Sequence, residues 1–441
     1  MIKKTMELYR DIISKLRDWK AKSDRKPLII KGVRQTGKTW IMKHFGKTEF
    51  EHTAYFNFDT DESLAEVFMT HKNPKRIVEQ LRLHTDVEIS AGKTLIIFDE
   101  IQECNEALNS LKYFCEDAPE YHIVAAGSLL GVTLSKGKSF PVGKVEFVDL
   151  YPLSFKEFLI AKDKKSFDYV ENLTAVEPLP EIMFNKLSEY FRQYLAVGGM
   201  PAAVKKFLEN ASMDDIDKEL DYILAAYARD FSKHAPDKDI PRIISIWESV
   251  PSQLAKENRK FVYKLVRPGA RAREYEDALL WLNSAGMIYR VFCSAKPGLP
   301  LKAYDDISAF KIYLCDIGLL RRLSVLPADA VVGNNPLYTE FKGAMAENYV
   351  LQSLVPQLDL TPRYWTSEGK AEVDFLIQYK TEIIPVEVKS GTNLVGKSLI
   401  VYGEKFSPKT KIRYSLTNLK NDGRVVNIPL FLADWTGRFW E

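Results

Sequence analysis

The sequence predicts an α/β fold for the first third of the chain, on three observations. The apolar run Pro27-Leu28-Ile29-Ile30 leads into Gly32-Val33-Arg34-Gln35-Thr36-Gly37-Lys38-Thr39, and a helix-forming stretch follows. A second apolar run, Leu95-Ile96-Ile97-Phe98, closes on the adjacent acids Asp99 and Glu100. Further β-rich runs over 53–59, 122–126 and 145–150 alternate with helical stretches, the pattern of a doubly wound parallel sheet.

Composition bounds what can be built on that frame. A chain of 441 residues, 46% hydrophobic and 27% charged, suits a globular protein of two to four domains with ample core. The formal charge of +3 is too small to demand a polyanion partner, so any basic surface must be local. Cys104, Cys115, Cys293 and Cys315 form no CxxC pair and are expected to be reduced thiols of a cytoplasmic protein. No apolar run suggests a secretion signal or a membrane span.

Element by element, Met6 to Lys22 places Leu8, Ile12, Ile13, Leu16 and Trp19 at helical spacing, an amphipathic helix beside the sheet. Residues 32–39 fit G-x-x-x-x-G-K-[ST], a phosphate-binding loop between strand and helix. Gly32 and Gly37 permit the sharp path that aims the amides from Val33 through Arg34, Gln35 and Thr36 at a nucleotide's phosphates. Lys38 would neutralise phosphate charge, and the Thr39 hydroxyl would ligate Mg²⁺. A strand apolar on both faces belongs inside a parallel sheet, with ligands at its carboxyl edge. Asp99 would therefore share the metal shell with Thr39, and Glu100 would polarise the attacking water. The strand His122–Ala126 ends at Gly127-Ser128, where Ser128 either senses the γ-phosphate or caps a following helix.

Together with Phe98-Asp99-Glu100-Ile101-Gln102, Ala126-Gly127-Ser128 and Tyr151-Pro152-Leu153-Ser154-Phe155-Lys156-Glu157-Phe158, the loop resembles a family of prokaryotic AAA-type ATPases with a C-terminal domain of unknown function. Gly198-Gly199-Met200-Pro201, Lys311 through Leu320, and Glu387-Val388-Lys389-Ser390 extend the resemblance over nearly the whole chain. It implies ATP binding through Gly37, Lys38 and Thr39, and hydrolysis through Asp99 and Glu100. One departure is Gly143-Lys144, where similar sequences carry an arginine; lysine lacks the planar two-pronged contact. Arg192 and Arg229 are the arginine-finger candidates left.

Beyond an ATPase domain over 1–160, residues 161–238 read as a helical lid. Over 239–330, two amphipathic helices and a hairpin follow in the order of a winged helix. Lys256, Arg259, Lys260, Lys264, Arg267, Arg271 and Arg273 gather before and at the start of its second helix, where a recognition helix meets DNA phosphates.

The composition of 331–441 turns to α+β. Glu347 lies on the apolar face of a helix, and a carboxylate there needs a partner. Asp374 lies on one strand, and Glu387 and Lys389 share one face of the next. Adjacent strands lie about 4.8 Å apart, so Asp374 and Glu387 could share one Mg²⁺. The set resembles the PD-(D/E)xK nuclease-like fold, including archaeal junction resolvases. That resemblance implies catalytic roles for Glu347, Asp374, Glu387 and Lys389, the lysine orienting the nucleophile.

Two functions fit. In one, ATP hydrolysis drives action on DNA through the winged-helix and nuclease-like domains. In the other, the chain is a nucleotide-dependent switch that recruits a protein partner through a C-terminal module that does not cleave.

Overall fold

The strand that precedes the phosphate loop, β1 (Leu28–Lys31), lies between two parallel neighbours in a five-stranded sheet. A computed structural model describes residues 7–127, 141, 143–257, 259–358, 360–367, 371–392, 394, 396–423 and 425–439. They divide into two compact units, one of residues 10–151 with 284–286, the other of residues 1–9, 152–283 and 287–441.

In the first unit, β2 (His52–Asn57), β3 (Thr94–Asp99), β4 (His122–Ala126) and β5 (Glu146–Asp149) join β1 in the order β2-β3-β4-β1-β5, all parallel. Alternation along each strand supplies two cores. Ile30, Leu95, Ile97 and Val124 pack with helices α1 (Ile12–Ala21) and α2 (Lys38–Glu49). Ile29, Ile96, Phe98 and Ile123 pack with α3 (Leu64–Thr70), α4 (Pro74–Leu81) and α5 (Asn105–Asp117). Each such Leu, Ile or Phe contributes roughly 1.5–3 kcal/mol by leaving water, and the inner strands β1, β3 and β4, covered on both faces, are apolar in mid-strand. That is why the apolar runs were readable.

The second unit opens with α6 (Phe155–Lys162), whose start is a capping box: Ser154 accepts from the Glu157 amide while Glu157 accepts from the Ser154 amide. Helices α7 (Lys164–Glu171), α8 (Glu181–Val197), α9 (Pro201–Leu208), α10 (Met213–His234) and α11 (Ile240–Leu254) follow. Next come the one-turn α12 (Tyr263–Val266), then α13 (Ala272–Ser284), β6 (Ile288–Ser294) and β7 (Asp305–Leu314). After α14 (Ile317–Leu323) and α15 (Ala328–Val332), the long α16 (Thr339–Leu354) leads to β8 (Arg363–Thr366), β9 (Glu372–Tyr379) and β10 (Glu382–Val388). Helix α17 (Ser398–Phe406) and strands β11 (Lys411–Ser415), β12 (Lys420–Asp422) and β13 (Val425–Pro429) complete it.

Its eight strands form one mixed sheet in the order β12-β13-β11-β10-β9-β8-β6-β7. The hairpin expected as a wing, β6–β7, is the end of the sheet that carries Asp374 and Glu387, joined through the pair Cys293–Tyr364. The division expected between residues 330 and 331 therefore falls inside a continuous sheet. Among the described residues, no helix is long and apolar enough to cross a membrane.

Candidate functional site

The loop after β1 takes its path from two glycines. Gly32 has φ +154°, and a Cβ there would run into the Leu150 carbonyl. Gly37, at φ +92°, is the N-cap of α2 in the left-handed region that side chains resist. The first bond of the helical ladder is Ile41 N–H to the Gly37 carbonyl. Gln35 also holds a left-handed backbone, φ +65°. The Thr36 hydroxyl donates to the Val33 carbonyl (2.9 Å). Buried Arg10 clamps the loop from α1's side, donating to the carbonyls of Thr36 (2.9 Å) and Tyr151 (2.6 Å).

Lys38 folds back over the loop, its Nζ donating to the carbonyls of Gly32 (2.8 Å) and Val33 (2.9 Å). The Thr39 hydroxyl donates to Asp99 Oδ2 at 2.7 Å, although the two residues are 60 apart in sequence. Hydroxyl and carboxylate are hard oxygen donors, so the pair fits Mg²⁺. Glu100, next to Asp99, sits at φ +50°, a left-handed conformation that costs a non-glycine residue roughly 1–2 kcal/mol. Its Oε2 accepts from Gln102 Nε2 at 2.6 Å.

Sequence reasoning missed Tyr55 and Asn57 on β2. The Tyr55 hydroxyl donates to Asp99 Oδ2 (2.9 Å) and accepts from Asn57 Nδ2 (3.2 Å), while Lys43 Nζ lies 3.5 Å over the Tyr55 ring. Burial and the Asp99 carboxylate push the Tyr55 phenol up to about 12, so it remains a donor. The available signal was β2's apolar run turning polar at the same carboxyl edge as Asp99.

Arg34 is exposed on the loop. Ser128 lies outside the described residues. Lys144 precedes β5, at the amino edge of the sheet, and pairs with Glu116 at 2.9 Å. It is thus directed away from the carboxyl edge where the loop lies.

In the second unit, Glu347, Asp374, Glu387 and Lys389 do meet in the wall of one cleft of about 900 Å³. The β9–β10 register pairs Phe375 with Val386 and brings Asp374 beside Glu387, and Asp374 Oδ2 accepts from the Val388 amide at 2.7 Å. Buried Glu347 takes Arg259 on Oε1 and the Tyr313 hydroxyl on Oε2 (2.9 Å), with Lys311 Nζ at 3.8 Å. Lys311, fully buried, also pairs with Glu372. Glu387 is held by Lys389 on Oε1 (3.1 Å) and Arg413 on Oε2 (3.0 Å).

The charges set the protonation. Burial alone would raise the Glu347 carboxyl; Lys311 and Arg259 override it and hold it below the usual range. Burial and the neighbouring Glu347 charge push Asp374 well above that range. The acid set expected to hold a metal is thus already compensated by Arg259, Lys311, Lys389 and Arg413. Among the described residues, no three acids, histidines or cysteines converge closely enough to hold a metal ion. As arranged, Asp374 and Glu387 do not fit the shared Mg²⁺ that strand spacing suggested, because Lys389 and Arg413 occupy the Glu387 oxygens and Asp374 gives Oδ2 to the Val388 amide.

Arg259 correspondingly leaves the basic surface expected around it. Lys260, Lys264, Arg267, Arg271 and Arg273 remain exposed.

Comparison with known proteins bears on the first unit most directly. Residues 24–159 match the family model of an AAA domain. That stretch, which contains the loop, Thr39 and Asp99, is similar to an AAA domain. Residues 188–330 and 342–431 match two domains of unknown function (DUF8612 and DUF4143). No curated protein matches the chain. Among solved structures, it is similar to a Walker-type ATPase of Pyrococcus abyssi, at 15% identity and TM-score 0.46, over 72% of this chain and 96% of that one. It is also similar to the Aeropyrum pernix ORC1 protein in complex with DNA, at 12% identity and TM-score 0.31, over 76% and 95%. A third likeness is to AMPPCP-bound DnaA from Aquifex aeolicus, at 12% identity and TM-score 0.26, over 63% and 86%.

Proposed function

We propose that the AAA domain binds ATP with magnesium and hydrolyses it, and that nucleotide state governs a non-cleaving C-terminal unit that contacts DNA. The observation that carries the first half is the 2.7 Å bond between Thr39 and Asp99 across a glycine-framed loop. On this reading, Lys38 gives up the Gly32 and Val33 carbonyls for the β- and γ-phosphate oxygens. Amides of residues 33–39 take the remaining phosphate charge, and Arg10 fixes the loop through Thr36. Thr39 and Asp99 would hold the magnesium, which supplies Lewis-acid polarisation of the phosphates when bound. Tyr55 orients Asp99, and Glu100 orients and deprotonates the attacking water.

Two variants test it. Lys38→Ala should lose ATP binding in calorimetry, whereas Glu100→Gln should bind normally and turn over at least about a hundredfold more slowly. ATP affinity unchanged in the first would refute the loop assignment, and parental turnover in the second would remove Glu100 from catalysis.

For the second unit, the paired cations on Glu347, Glu372 and Glu387 support a binding module over a nuclease. DNA contact draws its support from Lys264, Arg267, Arg271 and Arg273, exposed and without an ion-pair partner among the described residues. Purified protein given branched or plain DNA with Mg²⁺ or Mn²⁺ should leave it intact. Nicking that disappears in Asp374→Ala would restore the nuclease reading.

A further inference from the structure

A second pocket of the C-terminal unit, about 250 Å³, is walled by α8 and α16 and by the segment between α15 and α16. Its volume is just under the range of roughly 300–1,000 Å³ usual for small-molecule sites. Two cations and a phenol line it: Arg192 of α8, Lys342 of α16, and Tyr338 just before α16. No acid stands among its described lining residues.

These donors are almost unspent. Among the described residues, Arg192 and the hydroxyl of Tyr338 have no hydrogen-bond or ion-pair partner, although Tyr338 is only 5% exposed. Lys342 has one, a bond from Nζ to Asn334 Oδ1 of 2.6 Å. Burial, and then the Arg192 charge, lower the Lys342 ammonium below its ordinary value. A guanidinium and a half-buried ammonium facing one cavity without a counter-charge repel each other and have lost part of their hydration. Phe184, Phe191 and Met345 give the wall an apolar part, beside the uncharged polar side chains of Asn185, Ser188 and Thr392. Such an arrangement stores an attraction for an anion that brings an apolar body with it.

We propose that this pocket binds a small organic anion, a carboxylate or phosphate monoester on an aromatic or aliphatic body. Its headgroup would lie against Arg192, Lys342 and the Tyr338 hydroxyl, its body against Phe184, Phe191 and Met345. This use of Arg192 is independent of the nucleotide site. Among the described lining residues, the pocket shares only Ser390 with the cleft around Glu347.

Calorimetry on the full chain tests it, with the phosphate loop first saturated by Mg²⁺ and a non-hydrolysable ATP analogue so that it takes no probe. Phenyl phosphate and benzoate are the probes, with phenol as the uncharged control. At least one anion should bind below about 1 mM, and Arg192→Gln and Lys342→Gln should each weaken it about tenfold, or 1.4 kcal/mol. Phenyl phosphate binding alone would assign a phosphate ligand, and benzoate alone a carboxylate. Tyr338→Phe, which removes one oxygen, should weaken it a few-fold and covers the case where a charge variant fails to fold. Binding of neither anion to the parent, equal affinity for phenol, or undiminished affinity in folded Arg192→Gln would overturn the proposal.

Discussion

Lys311 stands in the middle of Phe310-Lys311-Ile312-Tyr313-Leu314, an apolar strand that leaves it no contact with water. An ammonium in such a place persists only with its charge answered. It lies two residues from Tyr313 on the same strand face, and both reach Glu347. The same requirement had been legible at Glu347, whose place on an apolar helix face demanded a partner. The identity of that partner was not, because Arg259 lies 88 residues away. Lys311→Met should cost roughly 3–5 kcal/mol by leaving Glu347 and Glu372 short of a cation. Lys389→Met, whose side chain is 31% exposed, should stay within about 1 kcal/mol. Chemical denaturation of the two variants separates them, and equal losses would show that the buried network is not what Lys311 serves.

At the scale of elements, β4 shows how a sheet covered on both faces constrains the residue that starts a strand. His122 is buried, its ring edge-on to Trp19 (6.0 Å) and Phe50 (5.0 Å), with Arg25 at 3.5 Å from Nδ1. Burial, then the charges of Arg25 and Lys20, bring its imidazole down to about 4 from 6.5. The unfolded chain therefore takes up a proton below about pH 6.5 that the folded unit refuses until about pH 4, and stability falls across that window. Between pH 7 and pH 5 the loss is about 2 kcal/mol at 1.36 kcal/mol per unit. His122→Gln should remove that slope, so parent and variant should converge as pH falls; a stability difference constant between pH 7 and pH 5 would contradict it. Elements whose signals are local were readable: β3 and β4 from unbroken apolar runs, and α2 from the glycine-lysine-threonine turn at its start. Strands β11 and β13 were not, since Lys411–Ser415 and Val425–Pro429 are short and take their place only by parallel pairing with β10 and with each other.

For the whole molecule, charge placement matters more than charge total. Residues 256–273 hold seven cations and one acid, although the entire chain carries only +3. Folding removes Arg259 from that surface into the Glu347 site and leaves Lys260, Lys264, Arg267, Arg271 and Arg273 outside. Replacing Lys264, Arg267, Arg271 and Arg273 with glutamine should weaken duplex DNA binding. The log-affinity against log-salt slope should become shallower by roughly 0.9 for each phosphate that the variant no longer neutralises. Anisotropy titrations over a range of salt measure this, and an unaltered slope would place DNA binding elsewhere or nowhere.

By itself the sequence determined the parallel α/β frame and the residues of the phosphate loop. Both depend on neighbours within a few positions: strand runs, glycines where the backbone turns left-handed, a lysine and hydroxyl at the head of a helix. Tertiary structure decided which charges answer which. Only the long-range pairing of α16, β7, β9 and β10 brings Arg259 and Lys311 onto Glu347 and puts cations where a metal had been expected, and only the packing of α8 against α16 leaves Arg192 and Lys342 facing one pocket. Coulomb energy depends on distance and burial, and neither is set until the chain has folded.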